Sequence, residues 1–350
     1  MEKAEITFKF VTPCIMAGAK QKEAEMRVPS VRGALRWWHE AMGYPSAYEI
    51  FGGVNGCVED RKAAWKSSLI IRELSDTPPF KTLDAMDITK NKFDYFLWPL
   101  RRTQDARGVI AENTQITISM STRRGGYLTY DQVIKAFLLL GSLGTRSRRC
   151  YGSVWPVKAV IDGEEWKIPE TEDEFISELE SFMDSDSQCR VIKVASPCRD
   201  GRQAINKCAD FLKSFRCGSN KSGKPSTWGK NDHDVIKGES TVYRQALGLP
   251  LTQRYSNNYG TLESEVEGYD RLASPIHFKV IPLKEGFLPV AIVFLSHSME
   301  NGTTVTLKGK GTHNRTAILD NDLLCTIATP EHIDHSSVWT ESALIADFSG

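Results

Sequence analysis

Two stretches of alternating residues, each followed by a stretch of helical period, constrain this chain more than anything else in it. Residues 4–11 place Ile6, Phe8 and Phe10 at period two, a half-buried strand. The turn Thr12-Pro13 and a small-residue loop through Gly18 lead to residues 30–43. There Val31, Ala34, Leu35, Trp38 and Met42 recur at helical spacing, with Ser30 as the N-cap. Residues 68–73 make a short strand, and 93–100 are aromatic and strand-like, with Pro99 marking an edge or an end. Thr114–Ser121 alternates again through Ile116, Ile118 and Met120. Thr129 and Gln132 have capping-box spacing and open an apolar helix through Leu138, which Gly141 and Gly144 close. A strand around Val154–Ile161 follows. This order is the ferredoxin-like βαββαβ pattern: an antiparallel sheet with helices on one face.

Beyond it the composition shifts. Residues 162–186 are acidic and predict a boundary and an exposed helix, whereas 190–237 swing basic. Gly201–Arg216 has helical character, and Gly218–Lys230 is a Gly/Ser/Lys-rich loop. A short helix near 240–248 precedes a polar, acidic loop at 256–270. Strands are expected at 276–282 and 288–296, a hairpin over 302–320, and a closing helix in the last twenty residues.

Within Val28-Pro-Ser-Val-Arg-Gly-Ala-Leu-Arg-Trp-Trp-His39, Arg32, Arg36 and His39 fall opposite the apolar face. Gly33 in the first turn leaves room for another backbone or a phosphate. A helix N-terminus with two arginines one turn apart fits an anion, and it fits equally a core helix with a solvated charged face. The second basic feature is Gly144-Thr-Arg-Ser-Arg-Arg-Cys-Tyr-Gly-Ser153. Glycines let the backbone aim N–H groups at one point, and Arg146, Arg148 and Arg149 add bidentate phosphate contacts. Tyr151 is placed to stack on a base. An exposed basic turn is the plainer alternative. The loop lacks the Gly-Lys-Ser/Thr ending of a nucleotide-triphosphate P-loop.

The chain has 350 residues, enough for two domains, and a formal net charge of zero, which argues against a generic polyanion binder while permitting local basic surfaces. No run is long and apolar enough to span a membrane, and the polar start Met1-Glu-Lys-Ala-Glu5 is no secretory signal. The eight cysteines include no Cys-x-x-Cys pair, which fits reduced cytoplasmic thiols. Cys189, Cys198, Cys208 and Cys217 are too widely spaced for a zinc site. His233-Asp234 is the kind of pair metal phosphohydrolases use, but no converging third ligand is legible. No cofactor, metal or catalytic constellation is expected.

Together, Ile6-Thr-Phe-Lys-Phe-Val-Thr-Pro13, Ala17-Gly-Ala19, Val28–Trp38, Glu49-Ile-Phe-Gly-Gly53 and the loop Gly144–Gly152 resemble the RAMP superfamily of CRISPR effector proteins. Ala246-Leu-Gly-Leu-Pro250 and Ala273–Val280 resemble the C-terminal half of the family of first subunits of the type III-B (Cmr) complex. One departure is Cys150-Tyr151, which stands where the resemblance implies a small or aromatic pair.

This resemblance implies an α+β protein of two ferredoxin-like (RRM-like) domains, 1–165 and 166–350, antiparallel sheets with helices packed on one face. It implies a non-catalytic, cytoplasmic, RNA-binding subunit in antiviral defence, near the 3′ end of the guide. The implied partners are CRISPR guide RNA, single-stranded target RNA and other Cmr subunits, with no membrane. Arg32, Arg36, Arg146, Arg148 and Arg149 would line an RNA groove, with Trp37 and Tyr151 as stacking residues and His39 beside them. The alternative is a metal-independent RAMP-type endoribonuclease, for which His39, next to Arg36, is the candidate acid or base.

Overall fold

A computed structural model describes residues 3–45, 47–54, 64–75, 82–83, 94–97, 100, 107–122, 129–184, 189–216, 226–249, 251–254, 260–309, 314–330 and 343–348. In the first half, β1 (Lys3–Phe10), α1 (Val28–Ala41), β2 (Leu69–Glu73), β3 (Gln115–Thr122), α2 (Thr129–Leu140) and β4 (Val154–Ile161) follow in sequence. The sheet runs β4-β1-β3-β2, all antiparallel, so the fourth strand lies beside the first, and the two-residue strand Glu164–Glu165 adds to the free edge of β4. The alternation in β1 turns Ala4, Ile6, Phe8 and Phe10 into the core, against Ile116, Ile118 and Met120 of β3. The other face carries Thr7 and Thr117, whose hydroxyls hydrogen-bond at 3.0 Å.

The second half repeats this order. After the connecting helix α3 (Glu172–Glu180), β5 (Cys189–Lys193) is followed by α4 (Gly201–Arg216). After α5 (Thr227–Asp234) come β6 (Ile276–Leu283), β7 (Gly286–Phe294), α6 (Asp322–Ala328) and β8 (Ala343–Phe348). The sheet is β6-β7-β5-β8, again antiparallel. A further sheet is built from Thr241–Val242, Arg315–Leu319, Thr304–Gly309, Thr261–Glu265 and Thr252–Arg254, in that spatial order. One hydrophobic core runs through both halves. At their junction the Lys279 side-chain nitrogen is fully buried and donates to the Leu138 carbonyl near the end of α2, at 2.8 Å.

Several expectations need correction. α1 begins at Val28, not Ser30: Arg27 is the N-cap, without a side-chain cap, and Pro29 sits in the first turn, where its missing N–H costs nothing. Gly33 faces open space, so nothing approaches it closely. Residues 94–97 form a helical turn rather than a strand. Residues 227–230, expected as the end of a loop, open the helix Thr227–Asp234, whose N-cap Ser226 accepts from Gly229 N at 2.9 Å; residues 217–225 lie outside the described residues. Residues 244–247 make only a 3₁₀ turn. Thr261–Glu265, expected as loop, pairs as a strand, while 255–259 lie outside the description. The chain's end forms β8 rather than a helix, because it completes the second sheet beside β5; 331–342 are outside the described residues. The Thr129 half of the expected capping box falls on a side chain outside the description, and Gln132 accepts a hydrogen bond from the Tyr44 hydroxyl.

Candidate nucleic-acid interface

The segment after β1 and the loop after α2 are laced together by backbone hydrogen bonds. Thr145 N donates to Ile15 O at 2.7 Å, and Gly152 N to Pro13 O at 2.9 Å. The Thr12 hydroxyl donates to Cys150 O at 2.5 Å and accepts from Ser153 N at 3.0 Å. The glycines are required: Gly144 and Gly152 sit at φ +84° and +68°, and a Cβ would lie 2.6 Å from Ile15 O and 2.0 Å from Leu143 O. Arg146 and Cys150 are also left-handed, each at φ 67°. Such non-glycine conformations persist where surrounding contacts over-determine them. Here Arg149 N closes on Arg146 O at 2.8 Å, and Cys150 N and Phe278 N bond Phe278 O and Arg148 O at 3.0 and 3.2 Å. The loop is thus docked on the edge of β6.

This docking separates the three arginines. Arg146 Nε donates to Phe96 O at 2.7 Å, in the helical turn 94–97. Arg149 donates to the carbonyls of Arg148 and Ile276, both at 2.9 Å, and lies over the Phe96 and Phe278 rings. Burial, with Arg216 and Arg146 nearby, pushes its guanidinium down to about 9, so it stays charged at neutral pH while spent on protein carbonyls. Arg148 alone turns to the other side, over the Trp37 ring at 6.0 Å.

That side is a cleft of about 440 Å³ between α1 and the loop, in the size range of small-ligand sites. Arg27, Ser30 and Trp37 line it from the start and one face of α1, Thr145 and Arg148 from the loop, and His277 from β6. No carboxylate lines it among the described residues. Trp37 is half-buried, stacked on His277 with centroids 4.5 Å apart and edge-on to Phe294 at 5.0 Å. Burial, then Arg148, Arg149 and His297, hold the His277 imidazole well below its ordinary range, so it is neutral at pH 7. Two guanidinium groups, hydroxyls and an indole around one cavity suit an anion joined to an aromatic ring.

Of the residues singled out from sequence, only Trp37 and Arg148 meet in this cleft. Arg32 and Arg36 lie on the far side of α1. Arg36 reaches Glu40 at 3.1 Å and Gly52 O at 3.2 Å, and Arg32 reaches Leu69 O at 3.5 Å. His39 is not on a solvated face: it is 1% exposed, closed over by Tyr44 and Phe51, because its position borders the apolar stripe. Burial lowers its pKa. Tyr151 is buried, with its phenol pushed up by desolvation, so no base can stack on it. Arg27, Ser30 and His277 were missed. Ser30, Ala34 and Trp37 form a stripe at i, i+4 and i+7, continued backward by Arg27, and that stripe was the available signal.

The other candidates take structural places. Cys189, Cys198 and Cys208 are buried free thiols, with Cys208 against Cys150 and near Cys198, and Cys217 is outside the described residues. His233 and Asp234 sit on α5, where Asp234 pairs with Lys237. No group of metal-ligating side chains occurs among the described residues.

Neither a family model nor a curated protein matches the chain. Solved structures do. Cmr1 from Pyrococcus furiosus, in its apo form, superposes with a TM-score of 0.56 at 14% identity, covering 99% of this chain and all of that one. A chain of the type III-B Cmr-beta complex bound to cognate target RNA gives 0.47 at 11% identity, covering 84% and 94%. A chain of that complex with target RNA and AMPPnP, in the presence of single-stranded DNA, gives 0.49 at 11%, covering 93% and 98%. The resemblance first read from short motifs therefore extends to tertiary structure, and over almost its whole length this chain has the fold of Cmr1.

Proposed function

We propose that this chain is a non-catalytic RNA-holding subunit of a type III-B (Cmr) CRISPR effector complex, acting in the cytoplasm near the 3′ end of the guide. Its two ferredoxin-like (RRM-like) domains, 1–165 and 166–350, meet along the cleft. The observation that carries the reading is the cleft itself: Arg27 and Arg148 line one cavity with the Trp37 indole, Arg148 lying over that ring, with no acidic residue in the lining among the described residues, on a Cmr1-like fold. Guide and target RNA are the partners this chemistry suits, together with neighbouring subunits. Phosphates pair with the arginines and a base packs against Trp37, with little sequence readout. On the outer face of the first sheet, β1 and β3 present Thr7, Thr117, Ser119 and Ser121 and no aromatic side chain, so the RNA is assigned to the cleft.

The endoribonuclease alternative rested on His39, which is enclosed in the core away from the cleft. The deciding experiment is single-stranded RNA binding by fluorescence anisotropy across a salt series, with the RNA checked for cleavage. Intact RNA, bound with an affinity that falls with salt and collapses in Arg27→Glu/Arg148→Glu, is the expected result. Cleaved RNA, or a double variant that binds like the parent, would overturn it.

A further inference from the structure

Trp37, Arg148 and His277 form a partition. The main cleft lies on one side of it, and on the other is a recess of about 60 Å³ that these same three residues also line. This recess is closed by the segment 272–275, by Phe294 and by His297. It admits a group of a few heavy atoms and is too small for a base. Its polar side chains are one guanidinium, two imidazoles and the Ser274 hydroxyl, which donates to Ile276 O, and no carboxylate lines it among the described residues. His297 stands beyond the end of β7, its ring 5.9 Å from Trp37 and 5.4 Å from Phe294, with Nδ1 3.3 Å from the Ser296 hydroxyl.

We infer that the recess is a second phosphate subsite, which takes the phosphodiester next to the nucleotide in the main cleft and binds it together with a proton on His297. This rests on the RNA reading proposed above. The charged groups around the two imidazoles determine the linkage. His277 faces Arg148, Arg149 and His297; His297 faces Arg148 from the loop and Glu40 from α1. Glu40 is already engaged by Arg36 at 3.1 Å. In the free protein, burial and Arg148 hold His297 below its ordinary pKa. A phosphate seated against Arg148 cancels that repulsion and adds an acceptor, so the imidazolium becomes the favoured form on binding. The proton is taken from solvent, and by linkage affinity rises as pH falls.

The test uses the full-length chain and a fluorescein-labelled oligouridylate, titrated between about pH 5.5 and 8 at constant ionic strength, the range in which histidine changes charge. Affinity should increase as pH falls, by up to about tenfold per pH unit for one linked proton. His297→Gln should flatten the profile, whereas His233→Gln, on α5 and outside both cavities, should keep it. In nuclear magnetic resonance, the His297 ring proton should titrate at a higher pH once the oligonucleotide is added. A parent profile flat with pH, or full pH dependence in His297→Gln, overturns the subsite and leaves RNA binding standing. A parent that binds no RNA at any pH overturns the RNA reading and this inference with it.

Discussion

The Trp37 indole and the His277 imidazole lie 4.5 Å apart, centroid to centroid, at an interplanar angle of 34°, and this pair joins α1 of the first sheet unit to β6 of the second. Around it, Arg148 comes over the indole from the loop and Phe294 meets its edge from β7. One half-buried side chain is thus both a wall of the cleft and a contact between the halves.

Truncating that side chain should affect both roles. Trp37→Ala should cost about 2–3 kcal/mol in denaturant unfolding, below the upper range for a fully enclosed ring because Trp37 is only half-buried. Trp37→Phe should recover most of the stability and part of the RNA affinity. A stability change under about 0.5 kcal/mol for Trp37→Ala would show that the indole packs against neither half.

The arginines should divide by position rather than by sequence pattern. Arg27→Ala and Arg148→Ala should each weaken single-stranded RNA binding, and each lost phosphate contact should lower the salt slope by about 0.7. Arg32→Ala and Arg36→Ala, whose side chains end on Leu69 O and on Gly52 O with Glu40, should change affinity less than twofold. Equal losses at all four positions would mean that RNA contacts the far side of α1 as well as the cleft.

Two glycines with similar backbone angles should respond differently. Gly152 (φ +68°) has Leu143 O within 2.0 Å of an added Cβ, whereas Gly163 (φ +89°) has nothing within 4 Å. Gly163→Ala should cost about 1 kcal/mol from backbone strain alone. Gly152→Ala should cost clearly more and shift the loop that carries Arg148, visible as a drop in both melting temperature and RNA affinity. Equal costs would mean that the loop relaxes freely.

Lys279 gives a pH prediction with a definite sign. Complete burial holds its amine well below the ordinary lysine value of 10.5. Between its lowered native pKa and 10.5 the unfolded chain binds the extra proton, so stability rises with pH across that window. Lys279→Met should remove this rise and, by dispensing with a buried amine, hold or raise stability at neutral pH despite losing the bond to Leu138 O. Chemical denaturation at several pH values reads the slope; an unchanged slope in the variant would place the titration elsewhere.

Local pattern by itself determined much of this protein. The alternation of Ile6, Phe8 and Phe10, that of Ile116, Ile118 and Met120, and the apolar periods of α1 and α2 each specify an element, because backbone geometry ties side-chain period to burial. The order of those elements carries the arrangement of the first sheet, and the glycine pair flanking 144–153 marks a loop that must turn sharply. Sequence could not decide where the arginines end up. Arg146, Arg148 and Arg149 lie within four residues, yet two left-handed residues and the edge of β6 send them to Phe96 O, to Trp37 and to Ile276 O. His39 and Tyr151 look available in one dimension and are enclosed in three, since contacts with Phe51 and the packing of the loop come from distant segments. The cleft joins residues near 30, 148 and 277. Period fixes which face of an element is apolar, but only the packing of elements far apart in sequence fixes which polar groups share a cavity.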